Sequence, residues 1–226
     1  VGSYVNGSIS SLTTSVTTLT GITWPSHVAG TLALLAHGYG DQTNTGTMDA
    51  NFTNIADLTD TNLRAVVGKR ASTAMTGSES GTVSLTTTTG ARQVGCLTVY
   101  SGYTDVQQIV SQNETSGTAV NVHASPTITP QITGSGFVIV YIDRVSAGNT
   151  TVTQPTGFSK RFEFGTLGTG GIFMCVADDL SGTHGVTPFT PDSWTLSVAS
   201  ASAMVYLIEL SPSGSVWNYR ADLKIG

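Results

Sequence analysis

The pattern of the chain centres on Gly136 to Arg144, Gly-Phe-Val-Ile-Val-Tyr-Ile-Asp-Arg, an unbroken apolar, β-branched and aromatic run of strand length. A run without alternation predicts a strand covered on both faces. A comparable run, Gly30 to Tyr39, is also entered through a glycine. Laying Gly30 on Gly136 brings Ile22-Thr23 onto Ile128-Thr129 and Phe52 onto Phe158 without a gap. The chain therefore reads as one pattern written twice.

Around these runs the pattern is that of short strands and polar turns. Residues 1–20 alternate loosely between Val, Ile or Leu and Ser or Thr, which predicts an edge strand with one wet face. Strands are predicted at 31–37, 52–58, 62–70, 82–89 and 92–100 in the first copy, and at 136–144, 158–164, 170–177, 193–200 and 203–210 in the second. The span 103–120 reads as the link between copies, giving a first β repeat over 1–110 and a second over 111–226 with a C-terminal extension. Val83, Leu85, Val94, Cys96, Leu97 and Val99 fall on Trp194, Leu196, Val205, Leu207, Ile208 and Leu210 in a gapless alignment of the last strands.

Composition sharpens this picture. Charged residues make up 10% of the 226 and glycine numbers 26, which suits many strands joined by glycine-rich turns and argues against helices. The net charge of −5 is scattered, with no basic patch, so direct nucleic-acid binding is not expected. No apolar stretch reaches the ~18 residues of a membrane-spanning helix, and no membrane partner is expected. Cys96 and Cys175 lie inside apolar runs at non-equivalent places, the setting of buried thiols.

The strand order is a Thr/Ser-rich strand, a glycine-bounded apolar strand, a Pro-x-Gly-aromatic turn, an apolar strand, an alternating strand and a final apolar strand. It resembles the duplicated all-β modules of tailed-bacteriophage virion proteins and related cell-surface proteins. The second copy carries the resemblance best, through Gly136–Ile142, Gln154-Pro155-Thr156-Gly157-Phe158, Ile172–Ala177 and Trp194–Leu210. The first copy has Asp49-Ala50-Asn51-Phe52 in place of the Pro-x-Gly. The resemblance implies a structural or adhesive part of a particle.

Candidate chemistry is sparse. His27, His37, His123 and His184 are far apart, and none has a His, Cys or carboxylate at metal-ligand spacing. There is no nucleophile elbow and no phosphate-binding loop. Asp178-Asp179 is the one concentrated acid pair; it reads as a loop tip in which Asp179 sets a turn, against a Ca2+ site that would need further oxygens. Glu209, inside an apolar strand, must point to solvent or pair with a base. Trp24 and Trp217 flank the duplicated core and suit a sugar platform or a subunit contact, while Trp194 aligns with core positions.

The expectation is an all-β antiparallel sandwich of jelly-roll type with an internal duplication and very little helix. The expected role is a non-enzymatic virion component, a capsid decoration (cement) protein bound to other virion proteins such as the major capsid protein. Tail or fibre component and carbohydrate-binding adhesion module, with a host glycan as partner, are the alternatives. No cofactor, metal or catalytic residue is expected. Apolar Val216, Trp217, Tyr219, Leu223 and Ile225 follow the last repeat strand, a pattern that calls for cover. Homo-oligomerisation is therefore expected, with Trp217, Tyr219, Leu223, Ile225 and Trp24 as interface candidates.

Overall fold

A computed structural model describes residues 2–40, 43–145, 151–165 and 170–214. Its twelve strands are β1 (Ser3–Thr23), β2 (Leu32–Gly40), β3 (Gly46–Thr47), β4 (Thr53–Thr59), β5 (Leu63–Arg70), β6 (Thr82–Ser101), β7 (Tyr103–His123), β8 (Gly136–Val145), β9 (Val152–Thr153), β10 (Ser159–Gly165), β11 (Gly171–Asp179) and β12 (Trp194–Pro212). One 3-10 turn, Ser72–Ala74, is the only helical element among the described residues. The first sheet has the order β1-β6-β2-β5-β4 with β3 on β6, and the second β7-β12-β8-β11-β10 with β9 on β12. Adding six to each strand number of the first sheet gives the second, so the duplication is a duplication of topology.

Each repeat supplies one whole sheet, and the two sheets pack face to face. The chain passes between them at Gly102, whose φ of +76° suits glycine. The division expected at 110/111 falls inside β7, and the span read as a link is the edge strand of the second sheet.

β-Bulges fix the correspondence between repeats. Val5 is the extra residue in β1 and Gln107 in β7; Ile55 is extra in β4 and Arg161 in β10. From the first pair, the ladder Tyr4–Tyr100–Leu32 matches Val106–Leu210–Gly136. From the second, Ala56–Val67–Ala36 matches Phe162–Val176–Val140. Both routes place Leu32 on Gly136, two residues from the frame that laid Gly30 there. In the last strands the same ladders place Cys96 on Tyr206, not on Leu207. That correction is one residue, and it changes the face.

The non-alternating runs are covered on both sides by the chain itself. Leu32, Leu34 and Ala36 of β2 face a central core shared with Val138, Val140 and Ile142 of β8. Ala33 and Leu35 face outward, onto Leu19, Ile22, Val83 and Leu85. These last residues belong to the far end of the β1–β6 ribbon, which loses register at Leu12/Val16, Val16/Thr18 and Leu19/Ile22 and folds back over its own sheet. The β7–β12 ribbon breaks register at Thr195/Ser200 and Ser200/Ser202 in the same way. It lays Trp194 and Leu196 over Phe137, Ile139 and Tyr141. Phe52 and Phe158 enter these satellite cores through like turns, Phe52 N–H donating to Asp49 O at 2.9 Å and Phe158 N–H to Pro155 O at 3.2 Å. Where the second repeat uses Pro155 and Gly157, the first uses the Asp49 side chain, which accepts from Asn51 N–H at 3.0 Å.

The repeats meet closely at β1 and β10. A Cβ added to Gly7 would lie 2.5 Å from a ring carbon of Phe162 and 2.6 Å from Leu97 O. Gly7→Ala should therefore destabilise the sandwich by about 1–3 kcal/mol, the range for overpacking. A urea melt indistinguishable from the parent's would show that β1 yields freely.

Candidate functional site

Trp24 follows directly from the end of β1, where its N–H donates to Gly81 O at 3.0 Å. Its ring stacks on Phe52 (centroids 5.5 Å apart, 16° between planes), with the Arg70 guanidinium 5.7 Å from its centroid. His27 lies beside it, ring centroids 5.5 Å apart. A cavity of about 350 Å³ opens here, lined by Thr23, Trp24, Ser26, His27, Glu79 and Ser80 among others.

The polar groups of this cavity are bound to one another. Glu79 Oε2 meets His27 Nε2 at 2.8 Å, and Glu79 Oε1 meets Arg70 Nη2 at 2.9 Å. The same carboxylate accepts from the N–H groups of Thr76 and Gly77 at 2.9 Å each. Burial pushes the Glu79 carboxyl up, but the hydrogen bonds from His27 and the Thr76 backbone outweigh it and hold the group down at about 2. The His27 and Glu79 side chains are 1% and 7% exposed, so their chemistry fastens the 71–81 loop to the end of β1. Trp24 itself packs within its own repeat.

The Asp178-Asp179 pair is divided between two tasks. Asp178 is buried and takes a bidentate contact from Arg161, with Nε and Nη2 each at 2.8 Å. Arg161 also sits 4.7 Å over the Tyr4 ring, tying the first sheet to the second. Asp179 accepts from Ser181 N–H at 3.0 Å and meets His184 Nε2 at 2.7 Å. The turn reading of Asp179 is what the structure has. Both carboxylates already hold a protein partner, and among the described residues no group of three His, Cys, Asp or Glu is placed to hold a metal ion.

Glu209 follows neither of the two expected courses. It is fully buried without a base and is caged by neutral donors. Gln131 N–H donates to it at 2.9 Å, Ile132 N–H at 3.1 Å, Ser135 Oγ at 2.6 Å and Gln108 Nε2 at 2.6 Å. Several N–H and O–H donors can replace the hydration of a carboxylate, and here they pin the 125–135 connection to β12.

Two further buried groups tie the bends of the folded ribbons. Asp143 accepts from Tyr141 Oη at 2.9 Å and from Ser200 Oγ; burial pushes its carboxyl up to about 6, against the pull of these bonds. His37 Nε2 bonds Gln93 Oε1 at 2.9 Å, and Gln93 Nε2 donates to Val16 O at 2.7 Å. Burial takes His37 down to about 4, so its ring is neutral. Ser200 is 2% exposed and spends its hydroxyl proton on Asp143, an arrangement that holds structure.

Sequence spacing missed the histidine partners. Three of the four histidines meet a carboxylate: His27 with Glu79, His123 with Glu114, and His184 with Asp179. Only the last, five residues apart in one loop, left a signal that spacing could have found. Cys96 and Cys175 are buried free thiols. Of the five interface candidates, Trp217, Tyr219, Leu223 and Ile225 lie outside the described residues, and Trp24 is placed as above. No family model, no curated protein and no solved structure matches the chain.

Proposed function

We propose that this chain is a non-enzymatic structural component of a virus particle, a bacteriophage capsid decoration (cement) protein that binds other virion proteins, the major capsid protein first among them. The observation that carries the reading is the use made of the conspicuous ionisable groups. Glu79, Asp143 (through Ser200), Asp178, Asp179 and Glu209 each tie one part of the fold to another. A chain that commits its acids to rigidity suits a scaffold that must hold its surface in a fixed shape. The strand-order resemblance supplies the particle context. A tail or fibre position is the next reading on the same grounds.

The test is to label the chain in virus particles assembled in cells that carry its gene and to image the particles. Regularly spaced label on the shell is expected. Label confined to the tail would move the protein there, and particles without label would overturn the proposal.

A further inference from the structure

Asn6-Gly7 is the one Asn-Gly pair in the sequence. It lies in β1 directly after the bulged residue Val5, with Asn6 paired to Val99 and Gly7 to Thr98. Asn6 is exposed to water. Gly7 N–H donates to Asn6 Oδ1 at 2.9 Å, which lays the side-chain carboxamide against the main-chain nitrogen that follows it. Groups held in contact need little further ordering to react. Glycine brings no side chain to block the approach, and its backbone turns readily into a ring. The same short bond forms from Val106 N–H to Asp105 Oδ1 at 2.8 Å. There the acceptor is a carboxylate, a poor electrophile, and the following residue is β-branched, so the contact carries no such chemistry.

We propose that Asn6 is a self-modification site, at which Gly7 N attacks Asn6 Cγ in the folded protein and residue 6 becomes aspartate or isoaspartate. Gly7 N gives up its proton to hydroxide and forms a bond to Cγ. The side-chain nitrogen takes a proton from water and leaves as ammonia, and a five-membered succinimide remains. Water then opens the ring at one of its two carbonyls. Breaking the new Cγ–N bond restores the main chain and leaves aspartate. Breaking the original peptide bond between Asn6 C and Gly7 N leaves the chain running through Cγ, which is isoaspartate. In sum one water is consumed and one ammonia released, and no other reactant is needed.

The two products act differently on the contact between the repeats. Aspartate keeps the main-chain path and adds a charge to an exposed residue. Isoaspartate inserts a methylene into the main chain of β1 and displaces Gly7 by about 1.5 Å. Gly7 has little room to move, since a Cβ there would lie 2.5 Å from a ring carbon of Phe162 and 2.6 Å from Leu97 O. Phe162 also carries Tyr4, with centroids 6.5 Å apart, and Tyr4 lies under Arg161. The isoaspartyl chain therefore loosens the meeting of β1 with β10, while the aspartyl chain keeps it. The change runs one way, because ammonia leaves. It holds whether or not the chain belongs to a virus particle.

The test is to incubate the full folded chain in warm, mildly alkaline buffer beside a urea-unfolded sample. Peptide mass spectrometry locates the amide-to-acid change, and an isoaspartyl methyltransferase assay reads isoaspartate. Asn6 should convert in the folded chain within about tenfold of its rate in urea, a rate that the minute unfolded fraction of a stable domain cannot supply. The separated isoaspartyl form should melt at least about 2 °C below the parent, the smallest shift for overpacking in a chain of this length. Asn6→Asp should melt with the parent. Conversion slower than that in the folded chain, or none, would show that strand pairing blocks the ring and would overturn the proposal. An isoaspartyl form that melts with the parent would overturn the loosening of the contact.

Discussion

Glu209→Ala should lower the unfolding free energy by about 1–3 kcal/mol, the cost of removing the acceptor that its neighbouring donors share. Gln131 N–H and Ile132 N–H converge on this buried carboxylate from residues that are themselves exposed and half-buried. Ser135 Oγ and Gln108 Nε2 lose less, because each keeps a carbonyl partner, Ile132 O at 2.7 Å and Thr129 O at 2.6 Å. Glu209→Gln should fall between parent and alanine, since its amide oxygen can still accept while its NH2 faces other donors. Urea unfolding measures both, and hydrogen exchange at Ile132 should quicken in step. If alanine costs no more than an ordinary surface substitution, the 125–135 connection is held by something else.

The second large effect is a pH profile that two buried groups flatten between them. Asp143 is raised in the folded state to about 6 by burial. The folded protein therefore binds this proton more tightly than the unfolded chain does. Its contribution is complete below the ordinary aspartate value and is lost as pH rises through 6; it amounts to about 3 kcal/mol. His37 is lowered to about 4 by burial. Its contribution is complete above the ordinary histidine value and is lost as pH falls toward 4, again by about 3 kcal/mol. The two oppose each other across the same window. His123, lowered mainly by burial, adds to the slope of His37, and Asp178, raised mainly by burial, adds to that of Asp143. Asp143→Asn should thus give a protein that weakens as pH falls from 6.5 to 4, and His37→Gln one that weakens as pH rises from 4 to 6. Parallel thermal melts across this range read both slopes. Variant profiles parallel to the parent's would mean that neither group changes its protonation on folding in the sense given.

Much of this fold is legible in the sequence because strand formation and turn geometry are local. The runs at Gly30–Tyr39 and Gly136–Arg144, the aromatic turns at Phe52 and Phe158, and the order of strands that makes the repeat all follow from neighbouring residues. The site-level ties do not. His27 finds Glu79 across 52 residues and Glu209 finds Gln108 across 101, separations at which spacing carries no signal. The cap of Arg161 over Tyr4 depends on two edges that meet only when the sheets pack.

By itself, then, the sequence determined an all-β chain, duplicated in its strand pattern, with its non-alternating apolar runs covered on both faces. Tertiary structure alone decided what covers them and in which phase. Alternation marks a face only where one side is wet; in Val94–Val99 and Val205–Leu210 both sides are buried and mostly apolar, so a slip of one residue leaves little trace in the pattern. The bulges at Val5, Ile55, Gln107 and Arg161 set that phase through backbone pairing, and placed Cys96 in the central core and Leu207 in the satellite core behind it. The cover itself comes from the far ends of the long ribbons, folded back at breaks in register that no periodicity encodes.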